Sequence, residues 1–186
     1  MSLDWPGWCR SGRSEQDALE QLDRYGTRYS AVVGTDVTHL DADVVGTLSG
    51  NATTDFGAPQ VQGPWDREPL GADQRRTHLR VLESCWQYLD HVVADAPLDL
   101  LKGPRGGGRT RDQITDHVRE SERRWTSKAG LRIAPRTPWP HQRAALTERL
   151  ASGAAEAAWP ADFTLRIVAW HVLDHAWEIE DKTPSS

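Results

Sequence analysis

Two histidines near the C-terminus have a spacing that suits metal binding. His171 and His175 lie four residues apart in the stretch WHVLDHAWEIED, residues 170–181. On a helix this spacing puts both imidazoles on one face, one turn apart. The pair therefore predicts either part of a metal site or two packing residues of a buried helix. A zincin metalloprotease is excluded, because its catalytic Glu would stand where this chain has Val172.

A third histidine, His117, is a candidate partner on a different predicted helix. It lies beside an apolar stripe that includes Ile114, Val118 and Trp125. Helices of a bundle pack ~8–10 Å apart, so His117 can reach the same ion as the pair. Three imidazoles with an open position are typical of a catalytic metal site. The other four histidines are predicted to be surface residues: His39, His78, His91 and His141.

Two acidic residues beside the pair are candidates for supporting roles. Glu178 lies one turn beyond His175, and it is predicted to be a fourth ligand or a general base, with a solvated position as the alternative. Asp174 is a candidate to orient His171 or His175, because metal-bound imidazoles usually need a partner at their second nitrogen.

A basic glycine-rich stretch, LKGPRGGGRTR at residues 101–111, precedes the helix that carries His117. Backbone N–H groups at a helix N-terminus attract anions, and arginine binds carboxylate or phosphate with two hydrogen bonds. The stretch is predicted to hold an anionic substrate or a thiol cofactor near the metal, or else to be a solvated loop. Its candidate anion-binding residues are Lys102, Arg105, Arg109 and Arg111.

Four helices are predicted to position these residues. Apolar residues repeat at steps of three and four over residues 73–96, which is typical of a bundle helix. The next helix has Thr110 as its N-cap and Gln113 in the capping-box position. Two further helices are predicted at about 141–151 and 163–181. Four helices joined by loops favour a four-helix bundle.

The first 60 residues are predicted to form a small β-α-β appendage. A short extended piece surrounds Pro6 and Gly7, and a helix follows with Ser14 as its N-cap. DADVVGTLSG, residues 41–50, is predicted to be a strand. We therefore expect an α+β protein, mainly α, with an appendage at 1–60 and a bundle at 61–186.

Composition narrows the classes of partner. The 186 residues carry a formal net charge of −5, which argues against nucleic acid as a partner. No apolar run approaches the ~20 residues needed to cross a bilayer, so no membrane partner is expected. No signal peptide is apparent either, and the expected compartment is the cytoplasm.

The three histidines also resemble the pattern of the DinB/YfiT-like superfamily over roughly residues 70–182. His117 in ITDHVRESER matches the single histidine on the second bundle helix, and His171 and His175 in WHVLDH match the pair on the fourth. The resemblance implies a divalent metal, zinc or nickel, and a low-molecular-weight thiol as a second cofactor. It further implies a thiol-dependent transferase, or a related hydrolase or isomerase, that acts on a small molecule and can form a homodimer.

Two alternatives to this enzyme stay open at this point. One is a non-enzymatic protein that binds a small molecule on the same bundle, as a carrier or for self-protection. The other is a scaffold whose metal site has decayed. Separately, the stretch DWPGWCRSGRSEQDALEQL resembles the start of the HicB-like fold, with its spacing shifted at Gln16 and Asp17. That partial resemblance implies the β-α-β element, and we carry no antitoxin function over from it.

Overall fold

Seven α-helices build the computed structural model, which describes residues 1–103, 107–153 and 157–184. In chain order they are α1 (Glu15–Arg24), α2 (Gly26–Val33), α3 (Ala52–Asp55), α4 (Ala72–Asp95), α5 (Arg111–Lys128), α6 (Trp139–Ala151) and α7 (Ala161–Asp181). A 3₁₀ turn, Pro64–Arg67, precedes α4. Within these ranges the chain has no strand, so the predicted α+β class is wrong.

The predicted β-α-β appendage is absent for a physical reason. Residues 41–50 are exposed and adopt no regular structure. A strand needs a neighbouring strand to pair with its backbone N–H and C=O groups. The extended piece near Pro6 does not supply this pairing, because it forms a turn that packs against α7. The helix between them does form: the Ser14 hydroxyl accepts a hydrogen bond from the Asp17 backbone N–H at 3.1 Å, which confirms the predicted N-cap.

Helix α7 is the centre of the molecule. It is buried along nearly its whole length, and α4, α5 and α6 all pack against it. Apolar residues occur on all sides of this helix, and such a helix is stable only when other elements surround it. The two histidines of α7 are therefore held on a rigid support. No helix in the described ranges is both long and apolar enough to cross a membrane.

The N-terminal residues join the same core. Gly7 has a φ of 91°, and a Cβ there would lie 3.0 Å from Cδ1 of Leu173, so glycine alone allows this close approach to α7. Trp8 stacks on Tyr29 with ring centroids 5.6 Å apart, and both side chains belong to the main buried cluster. The first 60 residues thus share a core with the helices that follow, and the division at residue 60 stays a prediction.

Candidate metal centre

The imidazoles of His117, His171 and His175 meet between α5 and α7. The Nε2 atom of His171 lies 3.2 Å from that of His117 and 3.1 Å from that of His175. One nitrogen from each ring lies within 4.8 Å of the other two. Two zinc–nitrogen bonds of ~2.0–2.1 Å at a tetrahedral angle place their nitrogens about 3.3 Å apart. The three rings therefore fit around a single divalent ion.

Local structure fixes where each ring stands. On α7, the spacing of four residues stacks His171 and His175, and both are buried, with 6% and 8% of their surface exposed. On α5, the predicted capping box is confirmed: the Thr110 hydroxyl accepts from the Gln113 N–H, and the Gln113 side chain accepts from the Thr110 N–H. This box fixes the start of the helix two turns before His117.

The surroundings favour the form of imidazole that binds metals. Burial lowers the pKa of His117, and the neighbouring His175 ring and the cations of Arg109 and Arg124 lower it further. The same causes, with deeper burial, lower the pKa of His171 well below its ordinary value. Both rings are therefore neutral at pH 7. A neutral imidazole keeps the lone pair that a metal ligand must donate.

Glu178 orients His175 from the side opposite the other rings. Its Oε2 lies 2.7 Å from Nδ1 of His175 and accepts one hydrogen bond from Arg109 at 2.8 Å. Its Oε1 accepts one hydrogen bond from Lys182 at 2.6 Å. Burial raises the pKa of this carboxyl, but the hydrogen bonds outweigh burial and hold the pKa at about 2. A carboxylate at this distance favours the tautomer of His175 with its proton on Nδ1, in which the lone pair of Nε2 points to His171. In this geometry Glu178 holds the ring of His175, and its role as a base or a fourth ligand stays a prediction.

Asp174, the other predicted orienting residue, is not brought to an imidazole. Its carboxylate pairs with Arg10 at 2.5 Å, and its side chain is 40% exposed. The Arg10 guanidinium also lies 4.2 Å from the ring centroid of Tyr25 and 5.0 Å from that of Trp177. The contact thus ties the N-terminal segment to α7 beside the histidines.

The described cations of the basic loop, Lys102, Arg109 and Arg111, do not gather around a shared position. Arg109 donates to Glu178, and Arg111 donates to the Ala96 carbonyl at 2.8 Å and to Asp112 at 2.9 Å. Lys102 is exposed, and Arg105 lies outside the described residues. The described residues therefore give the predicted anion site no supporting geometry, and Arg109 contacts Glu178, which in turn contacts His175.

An open cleft of about 720 Å³ is lined by the three imidazoles. Three aromatic side chains also line it: Trp125, Trp170 and Tyr25. Further lining comes from two cations of α5, Arg124 and Lys128, and from two loop segments, residues 9–11 and 56–58. A small molecule in this cleft has access to an ion held by the histidines.

Sequence reasoning missed the two cleft cations and misjudged one histidine. Arg124 and Lys128 follow His117 by seven and eleven residues, which are whole numbers of helical turns, so their spacing was an available signal. His78 was expected on the surface, but it is 1% exposed, next to the buried Arg166 and Asp162.

Comparisons with known proteins returned no match for this chain among protein-family models, curated proteins or solved structures.

Proposed function

We propose that this protein is a metal-dependent enzyme of the DinB-like type. His117, His171 and His175 hold a divalent ion, zinc or nickel, and the reaction is a thiol-dependent transfer, or a related hydrolysis or isomerisation, of a small molecule. The observation that supports this proposal is the convergence of three Nε2 atoms beside an open cleft. A purely structural metal site would be closed by a fourth protein ligand, whereas a catalytic site keeps a position open.

A divalent ion in this setting lowers the pKa of a bound water or thiol and so supplies a nucleophile near neutral pH. The protein's own residues prepare the position. Neutral His117 and His171 offer their lone pairs, and Glu178 holds the proton on Nδ1 of His175. Trp125 and Trp170 pack against His171 with ring centroids 4.7 Å and 5.7 Å away, which shields that ring from water.

A non-enzymatic binding protein is the second candidate, and one observation favours it. The two carboxylates nearest the histidines, Asp174 and Glu178, are both engaged in ion pairs. Neither is free to act as a general base. A reaction that needs a general base would find no unpaired carboxylate among the described residues of the cleft, whereas ligand storage or self-protection needs none.

Metal analysis of untagged protein tests the proposal. We expect about one zinc or nickel ion per chain in the wild type, and almost none in His171→Asn. His91→Asn is the matched control, because His91 lies on the surface of α4 and pairs with Asp95. Circular dichroism confirms that each variant is folded. A wild type without metal, whose melting temperature is unchanged by added zinc and by chelator, contradicts the proposal.

Turnover separates the two candidates. Zinc-loaded protein is incubated with a small electrophile in the presence and absence of a low-molecular-weight thiol. Conjugation that requires both the thiol and the metal supports the transferase. Tight ligand binding without conjugation, hydrolysis or isomerisation supports the binding protein.

A further inference from the structure

One face of α5 presents two cations to the cleft in line with the metal centre. Arg124 and Lys128 both line the cleft together with His117. Arg124 donates a hydrogen bond to the Ser121 hydroxyl at 3.2 Å, and the Lys128 ammonium lies 4.2 Å from the ring centroid of Trp159. In the part of the chain that the structure describes, neither cation pairs with a carboxylate.

The third cation of the cleft behaves differently. Arg10 is neutralised by Asp174 at 2.5 Å. The positive charge available to a ligand therefore lies on α5, on the side where His117 stands. A local excess of positive charge is notable in a chain with a net charge of −5. Such a charge attracts anions into a cleft, and a guanidinium binds planar oxyanions with two hydrogen bonds.

Aromatic side chains supply the rest of the surface. Trp125 and Trp170 line the cleft on either side of His171. Phe56 also lines the cleft and is 91% exposed, which is unusual for so apolar a side chain. A flat apolar body between these rings would remove their faces from water, and Trp and Phe faces favour aromatic partners.

We propose that the cleft binds a small aromatic anion, with its carboxylate or phosphate on Arg124 and Lys128 and its ring among Trp125, Trp170 and Phe56. To call this anion a substrate depends on the proposed function, because the other end of the molecule would then face the histidines. The anion subsite itself consists of residues that ligate no metal.

Titrations followed by tryptophan fluorescence test this subsite. The probes are benzoate, phenyl phosphate and the neutral benzamide, each added to metal-free and to zinc-loaded protein. We expect benzoate or phenyl phosphate to bind the wild type about tenfold or more tightly than benzamide, because a hydrogen bond to a charged group contributes that much affinity. The stronger of the two anions identifies the group that the cations hold.

Variants assign the binding to the cations. Arg124→Gln keeps a donor for Ser121 but removes the charge, and it should weaken anion binding about tenfold or more, with a further loss in the double variant with Lys128→Gln. Arg123→Gln is the control, because Arg123 lies on the same helix but pairs with Glu120 outside the cleft. Benzamide affinity should not change in any variant.

Two results would overturn the subsite: equal binding of benzamide and both anions to the wild type, or unchanged anion binding in the double variant. The metal-free arm keeps this test separate from the proposed function. If the protein takes up no metal but binds anions in a way that depends on Arg124, the subsite is supported and the metal-dependent enzyme is contradicted. Metal uptake without such anion binding removes the subsite alone.

Discussion

Glu178 Oε2 and His175 Nδ1 lie 2.7 Å apart, less than one turn from each other on α7. The carboxylate favours the tautomer with the proton on Nδ1, in which Nε2 of His175 turns its lone pair toward the other two imidazoles. Arg109 and Lys182 hold the carboxylate in turn. Arg109 of the basic loop before α5 therefore supports the candidate metal centre indirectly, because it contacts Glu178 and Glu178 contacts His175.

Replacing Glu178 with Gln should weaken metal binding about 10- to 100-fold, because residues that orient a ligating imidazole typically have effects of this size. The amide loses the charge that favours the Nδ1 proton. Competition with a chromophoric zinc chelator measures the affinity. Glu180→Gln is the control, since Glu180 lies on the same helix and pairs with Arg28 away from the cleft. Equal affinities in wild type and Glu178→Gln would show that the hydrogen bond has no role in metal binding.

Added zinc should raise the melting temperature of the wild type. An ion that binds only the folded chain at 100 times its Kd adds about 2.7 kcal/mol to the free energy of unfolding. For a chain of this size, that corresponds to roughly 5–10 °C. His117→Asn should lose most of the shift, because it leaves two of the three ligands. Differential scanning fluorimetry with and without EDTA measures the shift in melting temperature. A shift of the same size in His117→Asn would show that His117 does not bind the ion.

Glu122 should stabilise the fold strongly, although it is a buried carboxylate. It is fully buried on α5 and accepts hydrogen bonds from the indole N–H groups of Trp86 at 2.7 Å and Trp139 at 2.6 Å. Glu122→Ala leaves both donors without this acceptor and should lower the free energy of unfolding by about 3–5 kcal/mol. Urea unfolding measures the loss. Glu120→Ala, at the exposed neighbouring position, should unfold at nearly the wild-type urea concentration. A small loss for Glu122→Ala would mean that the indoles find other acceptors.

His78 should make the protein sensitive to mild acid. Burial lowers its pKa, and the nearby Arg166 cation lowers it further. As the pH falls below about 6.5, His78 of the unfolded chain binds a proton while His78 of the native chain does not. The free energy of unfolding therefore decreases with falling pH, until the pH reaches the pKa of His78 in the native chain. His78→Gln should show a shallower decline in unfolding free energy between pH 7 and pH 5. Urea unfolding across this range measures the difference, and equal slopes would assign the acid sensitivity to other groups.

The long helices and the meeting of the histidines followed from spacing, because a buried helix repeats its apolar residues at a period that one sequence displays. The N-terminal expectation failed for the opposite reason. Whether residues 41–50 become a strand depends on a partner segment, and α7 takes up the extended piece near Gly7 instead. Long cations such as Arg124 look like a solvated helix face until the elements across the cleft are known. The burial of His78 likewise depends on Arg166 and Asp162, which come from a distant helix.

The cleft is built from two parts of the chain with different support. The three imidazoles stand on α5 and α7, inside the packed helices, whereas residues 9–11 and 56–58 line the cleft from two loop segments. Helices resist substitution because their neighbours constrain them, and loops tolerate insertions and replacements. Changes at residues 56–58 can therefore alter which molecules enter while the ligand set stays intact. The rim of the cleft can thus vary in sequence without any change to the three histidines.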